Sequence, residues 1–281
     1  MGTSLKPMSL ETLERHHFEA LSHFSKMEEV EFIEGSGFYL LKSDINHPLL
    51  NAVLLTRMKG FWLSRQVSKV IESFQKDQKD FCWYVWPSSE PEDLRKRLEE
   101  AGLKKLYSSK IVGVEMQSLL PLSYPLDDGF RLECVRKEQQ VSDFCNTLTE
   151  VFSFPMDFNE FLKSFFLKYG IVENSPFQNF LIYYDEEPVS TGSLVCTKNY
   201  AGMFNAGTKK KYRRRGLLTA LLNERLNLAR RLGKKKVTAT CSDLSFSLYS
   251  KFGFKVQASL ENWRIPWFFP EKVGMQGVKL K

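Results

Sequence analysis

The sequence predicts an α/β fold in two domains, on three observations. Short apolar or β-branched runs alternate with segments of helical spacing along its 281 residues. One stretch, SLLPLSYPLDDG from Ser118 to Gly129, breaks that alternation with two prolines, two serines and an Asp-Asp-Gly turn. The composition is 43% hydrophobic and 26% charged with 23 Phe, that of a globular chain able to bury a sizeable core. A domain boundary is therefore expected at the break, with one domain over 1–120 and a second over 129–281.

The elements follow in order. Leu10, Leu13, His17, Ala20, Leu21 and Phe24 lie on one broad face, predicting a helix from about Ser9 to Ser25. Phe38–Lys42 and Leu49–Met58 read as strands separated by the turn-rich SDINHP, and Phe61–Phe74 reads as a helix. FCWYVW, Phe81 to Trp86, is a short apolar strand stopped by Pro87. In the next segment Ser89 can cap a helix, Pro91 suits its first turn and Gly102 suits its C′ position. Strands are expected at Leu103–Tyr107 and Ile111–Glu115. Beyond the break come a strand at Phe130–Cys134 and helices at Lys137–Val151 and Phe158–Tyr169. A hairpin follows, Phe180–Asp185 with Pro188–Thr197, then a strand at Ala201–Thr208. The helix Leu217–Leu232 sets Leu218, Leu221, Leu222, Leu226 and Ala229 against polar Asn223, Glu224, Arg225 and Arg230. Gly233 ends it. A β-branched strand at Lys236–Cys241, a short helix at Leu244–Phe252 and a strand at Gly253–Ala258 complete the pattern. WRIPWFFP and VKL are candidates for an edge strand.

Several classes are disfavoured. No apolar run approaches the ~20 residues of a membrane span. The N-terminal residues show no signal core, so a cytoplasmic protein is expected. Five scattered cysteines, never in a CxxC pair, read as buried free thiols of a reducing compartment. No metal-ligand spacing occurs, so no metal is expected. The four histidines lie in the first fifth of the chain and read as surface or packing residues. A net charge of +7 favours anionic partners.

That charge is concentrated in one place. KKKYRRRG, Lys209 to Gly216, puts six cations in seven residues between a strand and a helix. The first amides of a helix lack intrahelical partners, and its dipole places partial positive charge there. Such an end holds phosphate groups well, and a glycine lets the backbone come close to them. A small pyrophosphate-bearing ligand fits this description. A solvated basic turn and a nucleic-acid patch are the competing readings.

Tyr212 to Leu222, YRRRGLLTALL, resembles the acetyl-CoA loop of the GNAT acetyltransferases, whose pattern is Gln/Arg-x-x-Gly-x-Gly/Ala. Arg213, Gly216 and Leu218 fall on its three fixed places, Leu218 where a small residue is usual. CSDLSFSLYSKFGF, Cys241 to Phe254, resembles the family's Tyr-x-x-x-Gly-Phe segment through Tyr249, Phe252, Gly253 and Phe254, with Ser242 where many members have Asn. The resemblance covers Phe130 to about Arg264. HPLLNAVL (His47–Leu54) and FCWYVWPSSEPEDLRKRLEEAGL (Phe81–Leu103) are similar to a subgroup whose N-terminal half is a degenerate GNAT-like domain.

The resemblance implies an α/β mixed-sheet acetyl-CoA N-acyltransferase fold with two GNAT-like halves, only the C-terminal one binding cofactor. It implies acetyl-CoA as co-substrate and a direct attack by an amine, small-molecule or peptide, with no cysteine or serine nucleophile. Backbone groups of Asn205, Ala206, Gly207 and Thr208 would pair with the pantetheine arm. Those of Arg213, Arg214, Arg215, Gly216, Leu217, Leu218 and Thr219 would hold the diphosphate. Ser242 would lie beside the cofactor, and Tyr249 would act as general acid toward the leaving thiolate. Asp243, Glu173 and Asp185 are available as bases, with no motif to single one out. Phe144–Phe166 and the Tyr183-Tyr184 pair could line an acceptor pocket or pack the core. Two other functions stay open. Leu218 and Ser242 suit a non-catalytic CoA-binding module. A nucleic-acid binder using the turn 209–215 is opposed by the confinement of its charges to one turn ahead of a core helix.

Overall fold

The computed structural model describes residues 8–60, 62–119, 123–198 and 200–266. Two compact units divide them. One holds 8–111 and 256–266, the other 112–255.

The first unit opens with α1 (Leu10–Ser22), capped by Ser9, whose Oγ accepts from the Thr12 amide at 3.2 Å. β1 (Val30–Gly35) and β2 (Phe38–Ser43) form an antiparallel hairpin. Its turn needs Gly37, at φ +85, because a Cβ there would stand 2.4 Å from the Arg57 carbonyl oxygen. β1 was not expected. Its two glutamates and mostly unburied side chains give it no apolar run. β3 (Ala52–Leu54) is shorter than the expected 49–58 strand, since Leu55 turns to φ +50 and breaks it. α2 (Leu63–Gln75) buries Leu63, Val67, Val70, Ile71 and Phe74, a clean helical stripe. After β4 (Cys82–Val85), Ser89 accepts from the Trp86 amide at 3.0 Å and closes a turn. It therefore does not cap α3 (Leu94–Glu100), which starts after Asp93. Gly102 does end α3, at φ +89, with the Leu103 amide donating to Leu98 at 2.9 Å. β5 (Lys104–Glu115) is one strand where two were expected.

The second unit contains β6 (Phe130–Cys134), α4 (Glu138–Phe152), α5 (Met156–Tyr169), β7 (Phe177–Tyr184), β8 (Glu187–Cys196) and β9 (Tyr200–Thr208). It continues through α6 (Leu217–Arg231), β10 (Lys236–Cys241) and α7 (Asp243–Lys251). β11 (Lys255–Arg264) then belongs almost wholly to the first unit. Strand order in the second unit is β5-β10-β9-β8-β7-β6, antiparallel from β9 to β6 and parallel between β9 and β10. In the first unit it is β1-β2-β3-β4-β11-β5, parallel between β3 and β4 and antiparallel between β4 and β11. The fold is thus mixed α/β, as expected. The C-terminal WRIP does not add an edge strand. Trp263 and Arg264 complete β11 inside the sheet, with Trp263 opposite Trp83. WFFP, Trp267 to Pro270, and VKL lie outside the described residues.

Each unit has its own core. The first packs Val67, Ile71, Phe74, Phe81, Trp83 and Leu98 together; the second packs Val112, Ile182, Leu194, Met203, Leu221 and Leu222. His16 is buried and His17 packs edge-on against Tyr84, so both serve packing. His47 is also buried, and its Nδ1 accepts from the Leu49 amide at 3.3 Å. Burial, reinforced by the charge of Arg264, pushes its imidazole down to about 3. An unfolded histidine titrates near ~6.5. The folded value is depressed, so this contribution to stability is complete above that pH and is lost as pH falls toward the folded value. The slope is about 1.4 kcal/mol per pH unit. Urea unfolding of His47→Asn is expected to show a flatter loss of stability than wild type between about pH 6.5 and 4.

Candidate functional site

The site grows out of the place where two strands part. β9 and β10 pair in parallel from Tyr200↔Lys236 to Met203↔Ala239, and the ladder stops there. β9 continues to Thr208 and β10 to Cys241, leaving facing backbone edges unpaired in that register. The cause lies on the other side of β9. Between Thr191↔Gly207 and Ser193↔Phe204, β8 supplies Gly192 alone and β9 supplies two residues, Asn205 and Ala206. That is a β-bulge, which bends a strand and raises its twist. Asn205 takes φ +55 within it. Its side-chain amide donates to Ser193 Oγ at 3.1 Å, its carbonyl accepts from Thr191 Oγ1 at 2.9 Å, and Ser193 Oγ donates to Asn179 Oδ1 at 2.7 Å.

Beyond Thr208 the chain enters the basic turn. Arg214 at φ +66 and Gly216 at φ +75 flank Arg215, and α6 starts at Leu217. Left-handed residues in a turn can direct neighbouring amides into an anion-binding concavity. The amide of Ala220 donates to the Gly216 carbonyl, so the three amides before it are free of intrahelical bonds. No atom lies within 4 Å of a Cβ placed on Gly216, and Arg213 to Gly216 are exposed. Leu218 is half-buried and turned onto the core.

The six cations of the turn do different work. Lys209 is mostly covered and pairs with Glu150 at 3.0 Å and Glu187 at 3.5 Å. Arg213 Nε donates to the Thr208 carbonyl at 3.0 Å, closing the turn. Buried Tyr212 donates to Glu187 at 2.6 Å and, with Phe130 and Tyr184, forms an aromatic floor. Lys211 and Arg215 lie over that floor, Lys211 5.0 Å from the Tyr212 ring. Lys210 and Arg214 have no ion pair among the described residues.

At the β10 side, α7 is held by a capping box. Ser242 Oγ accepts from the Ser245 amide at 3.3 Å, and the Ser242 amide donates to Ser245 Oγ at 3.1 Å. The structure thus gives the Ser242 hydroxyl to the helix. Tyr249 faces inward from α7, buried and edge-on to Phe254 at 5.3 Å. Burial raises its phenol above the ordinary tyrosine range, opposed by the charge of Arg225.

Arg225 is a residue of the candidate site that sequence reasoning missed. Counted with the polar face of its helix, it is 1% exposed and has no carboxylate partner among the described residues. Nε donates to the Leu221 carbonyl at 3.0 Å, and Nη1 donates to the carbonyls of Ser193 at 3.3 Å and Phe204 at 3.4 Å. The Arg225 charge also acts on the Tyr249 phenol, favouring its ionised form. The signal was present: Arg225 is four residues after Leu221 and four before Ala229, on the apolar stripe.

The structure brings Ala206, Gly207 and Thr208 to the parted edge, Arg213 to Thr219 to the turn that follows, and Tyr249 to the helix after β10. It separates two of the candidate bases. Glu173 precedes β7 and Asp185 follows it, so some ~25 Å of strand lies between them. Phe144, Phe158, Phe161, Phe165 and Phe166 are buried and pack on one another and on Phe177, so they are core. Tyr183 donates to Asp143 at 2.8 Å. All five cysteines are free; Cys82, Cys145 and Cys241 are buried, whereas Cys134 and Cys196 are half-buried. Burial pushes the Cys82 and Cys145 thiols up to about 12, unsuited to nucleophilic work. Among the described residues no group of His, Cys, Asp or Glu is placed to hold a metal, and no helix is long and apolar enough to cross a membrane.

Residues 143–254 match the model of the acetyltransferase (GNAT) family. Among solved structures, the chain is similar to a GCN5-related N-acetyltransferase from Kribbella flavida, at 15% identity and a TM-score of 0.69, over 93% of this chain and 97% of that one. It is similar to a GCN5-related N-acetyltransferase from Sphaerobacter thermophilus, at 14% identity and a TM-score of 0.63, over 92% and 94%. A tandem GNAT protein from the clavulanic acid biosynthesis pathway shares 10% identity with a TM-score of 0.60, over 92% and 96%. At these identities the likeness is one of fold, and it extends over both halves. No curated protein matches the chain.

Proposed function

With a GNAT-family domain at residues 143–254 as its premise, we propose that this chain moves an acetyl group from acetyl-CoA to an amine of a small molecule or peptide. The observation that carries the reading is the parting of β9 from β10 after Met203↔Ala239, directly ahead of the open turn at Arg214 and Gly216. An extended arm with amide groups can add to an unpaired strand edge, and a diphosphate suits converging backbone amides. Acetyl-CoA has both parts in that order. The C-terminal half holds the cofactor, since the N-terminal half has no Arg-x-x-Gly-x-Gly equivalent.

Bound acetyl-CoA supplies an activated thioester. The chain's residues do the rest. Backbone amides of the 205–208 edge orient the thioester, one of them polarising its carbonyl. The amine would form the C–N bond as the C–S bond breaks, the thiolate would take the phenolic proton of Tyr249, and the proton shed by the nitrogen would restore the phenol. A phenol raised by burial is fully protonated at neutral pH, the state a general acid requires.

Calorimetry of acetyl-CoA into the wild-type protein tests the reading. Micromolar binding is expected, followed by thiol release when primary amines are added. Absence of binding would overturn it.

A further inference from the structure

Three unfavourable features meet on a short stretch of neighbouring strands. The bulge breaks the β8–β9 ladder at Gly192, Asn205 and Ala206. Asn205 takes φ +55 there, a left-handed value that a residue with a side chain adopts at a cost. Asn179, buried on β7 opposite Ser193, leaves its Nδ2 without a hydrogen-bond partner among the described residues. An apolar side chain at 179 would strand no donor, so the other end of this amide must do something an apolar residue could not.

That end orders a chain. Asn179 Oδ1 takes the Ser193 hydroxyl proton at 2.7 Å, which leaves the Ser193 oxygen to accept from the Asn205 side-chain amide at 3.1 Å. Thr191 acts on the backbone of the same residue, its Oγ1 donating to the Asn205 carbonyl at 2.9 Å. Thr191 and Ser193 are both fully buried, so water does not compete for their hydroxyls. Arg225 holds the flanking carbonyls of Ser193 and Phe204, and the two hydroxyls hold Asn205 itself. A trans peptide is planar, with its C=O and N–H pointing opposite ways. Fixing the Asn205 carbonyl on Thr191 therefore fixes the Ala206 amide, turned away from the Thr191 hydroxyl. β10 flanks β9 on the edge opposite β8, and its ladder has ended at Met203. Resting on the acetyl-transfer reading above, we propose that Thr191 and Ser193 are positioning residues: their buried hydroxyls lock Asn205 in the bulge and so aim the Ala206 amide at the thioester carbonyl. Neither hydroxyl touches the substrate. Without them the 205–206 peptide has no fixed direction, and the hydrogen bond to the carbonyl weakens while the diphosphate turn is unaffected.

The test reads the carbonyl directly and needs no amine acceptor. Acetyl-CoA carrying an isotopic label at the acetyl carbonyl is bound to the full chain, and the carbonyl stretch is followed by difference infrared spectroscopy. Binding to the wild type is expected to lower the stretch. Thr191→Val keeps the shape and loses the hydroxyl. It is expected to lose most of that lowering, while its acetyl-CoA affinity by calorimetry changes by less than about tenfold. Thr191→Ser, which keeps the hydroxyl, is expected to restore the wild-type stretch. Ser193→Ala makes the same test at the other hold on Asn205, and it decides the matter if Thr191→Val does not fold. A wild-type stretch in the bound variant would overturn the proposal, as would loss of acetyl-CoA binding by the folded variant or an unlowered stretch in the wild type. Failure of the acetyl-transfer reading looks different: the wild type itself would then bind no acetyl-CoA, and the positioning role would fall with that reading.

Discussion

The Gly216→Glu variant is expected to lose more than ~100-fold in acetyl-CoA affinity, about 2.7 kcal/mol, while remaining folded. Two effects combine at this residue, and they separate cleanly. The backbone sits at φ +75, which costs any L-residue roughly 1–2 kcal/mol of stability. The space around it is open, with no atom within 4 Å of a new Cβ, so no packing clash adds to that. A carboxylate there sits at the N-terminus of α6, beside its free amides, and competes with a diphosphate for them. Gly216→Ala carries the same backbone cost without the charge. Thermal unfolding should therefore show both variants lowered alike, while calorimetry should show Ala binding and Glu not. Equal binding by the two would mean that the turn does not hold the diphosphate.

Asp80→Ala is expected to destabilise the first unit by about 3–5 kcal/mol, read by urea unfolding. Asp80 lies just before β4 and pairs in two-pronged fashion with Arg264 at the end of β11. The two side chains are only 13% and 8% exposed. Burial raises the Asp80 carboxyl against the opposing pull of Arg264, so the pair does not recover the whole cost of leaving water. Removing Asp80 alone takes the carboxylate from a buried guanidinium. Removing both, as Asp80→Leu with Arg264→Met, takes charge and counter-charge together and is expected to cost far less than the single change. A single variant no worse than the double would mean that the Asp80 carboxylate is not what compensates the Arg264 charge.

The parts legible in the sequence were those with a local physical signature. Helical stripes, glycine stops such as Gly102 and Gly233, and the apolar FCWYVW strand needed no tertiary information. β1 was not legible, because an edge strand facing water has no apolar run to declare it. Ser89 shows why hydroxyls mislead: it closes a turn instead of capping α3, and which of two nearby amides a serine takes is settled by the fold. The basic turn was visible, yet its division of labour was not. Lys209 and Arg213 look like their neighbours in sequence and differ only in what stands near them. A mid-strand Asn can mark a bulge, and establishing one at Asn205 required knowledge of which strand pairs with which. Arg225 was within reach, since its i−4 and i+4 neighbours are both buried, but a charged residue reads as a surface residue until its partners are known.

The split character of the basic turn bears on rates. Its exposed side chains act over distance, and at physiological salt that distance is about 8 Å. The amides of the concavity act only on contact. Salt should therefore slow the arrival of an anionic ligand, while hardly changing how long it stays once seated.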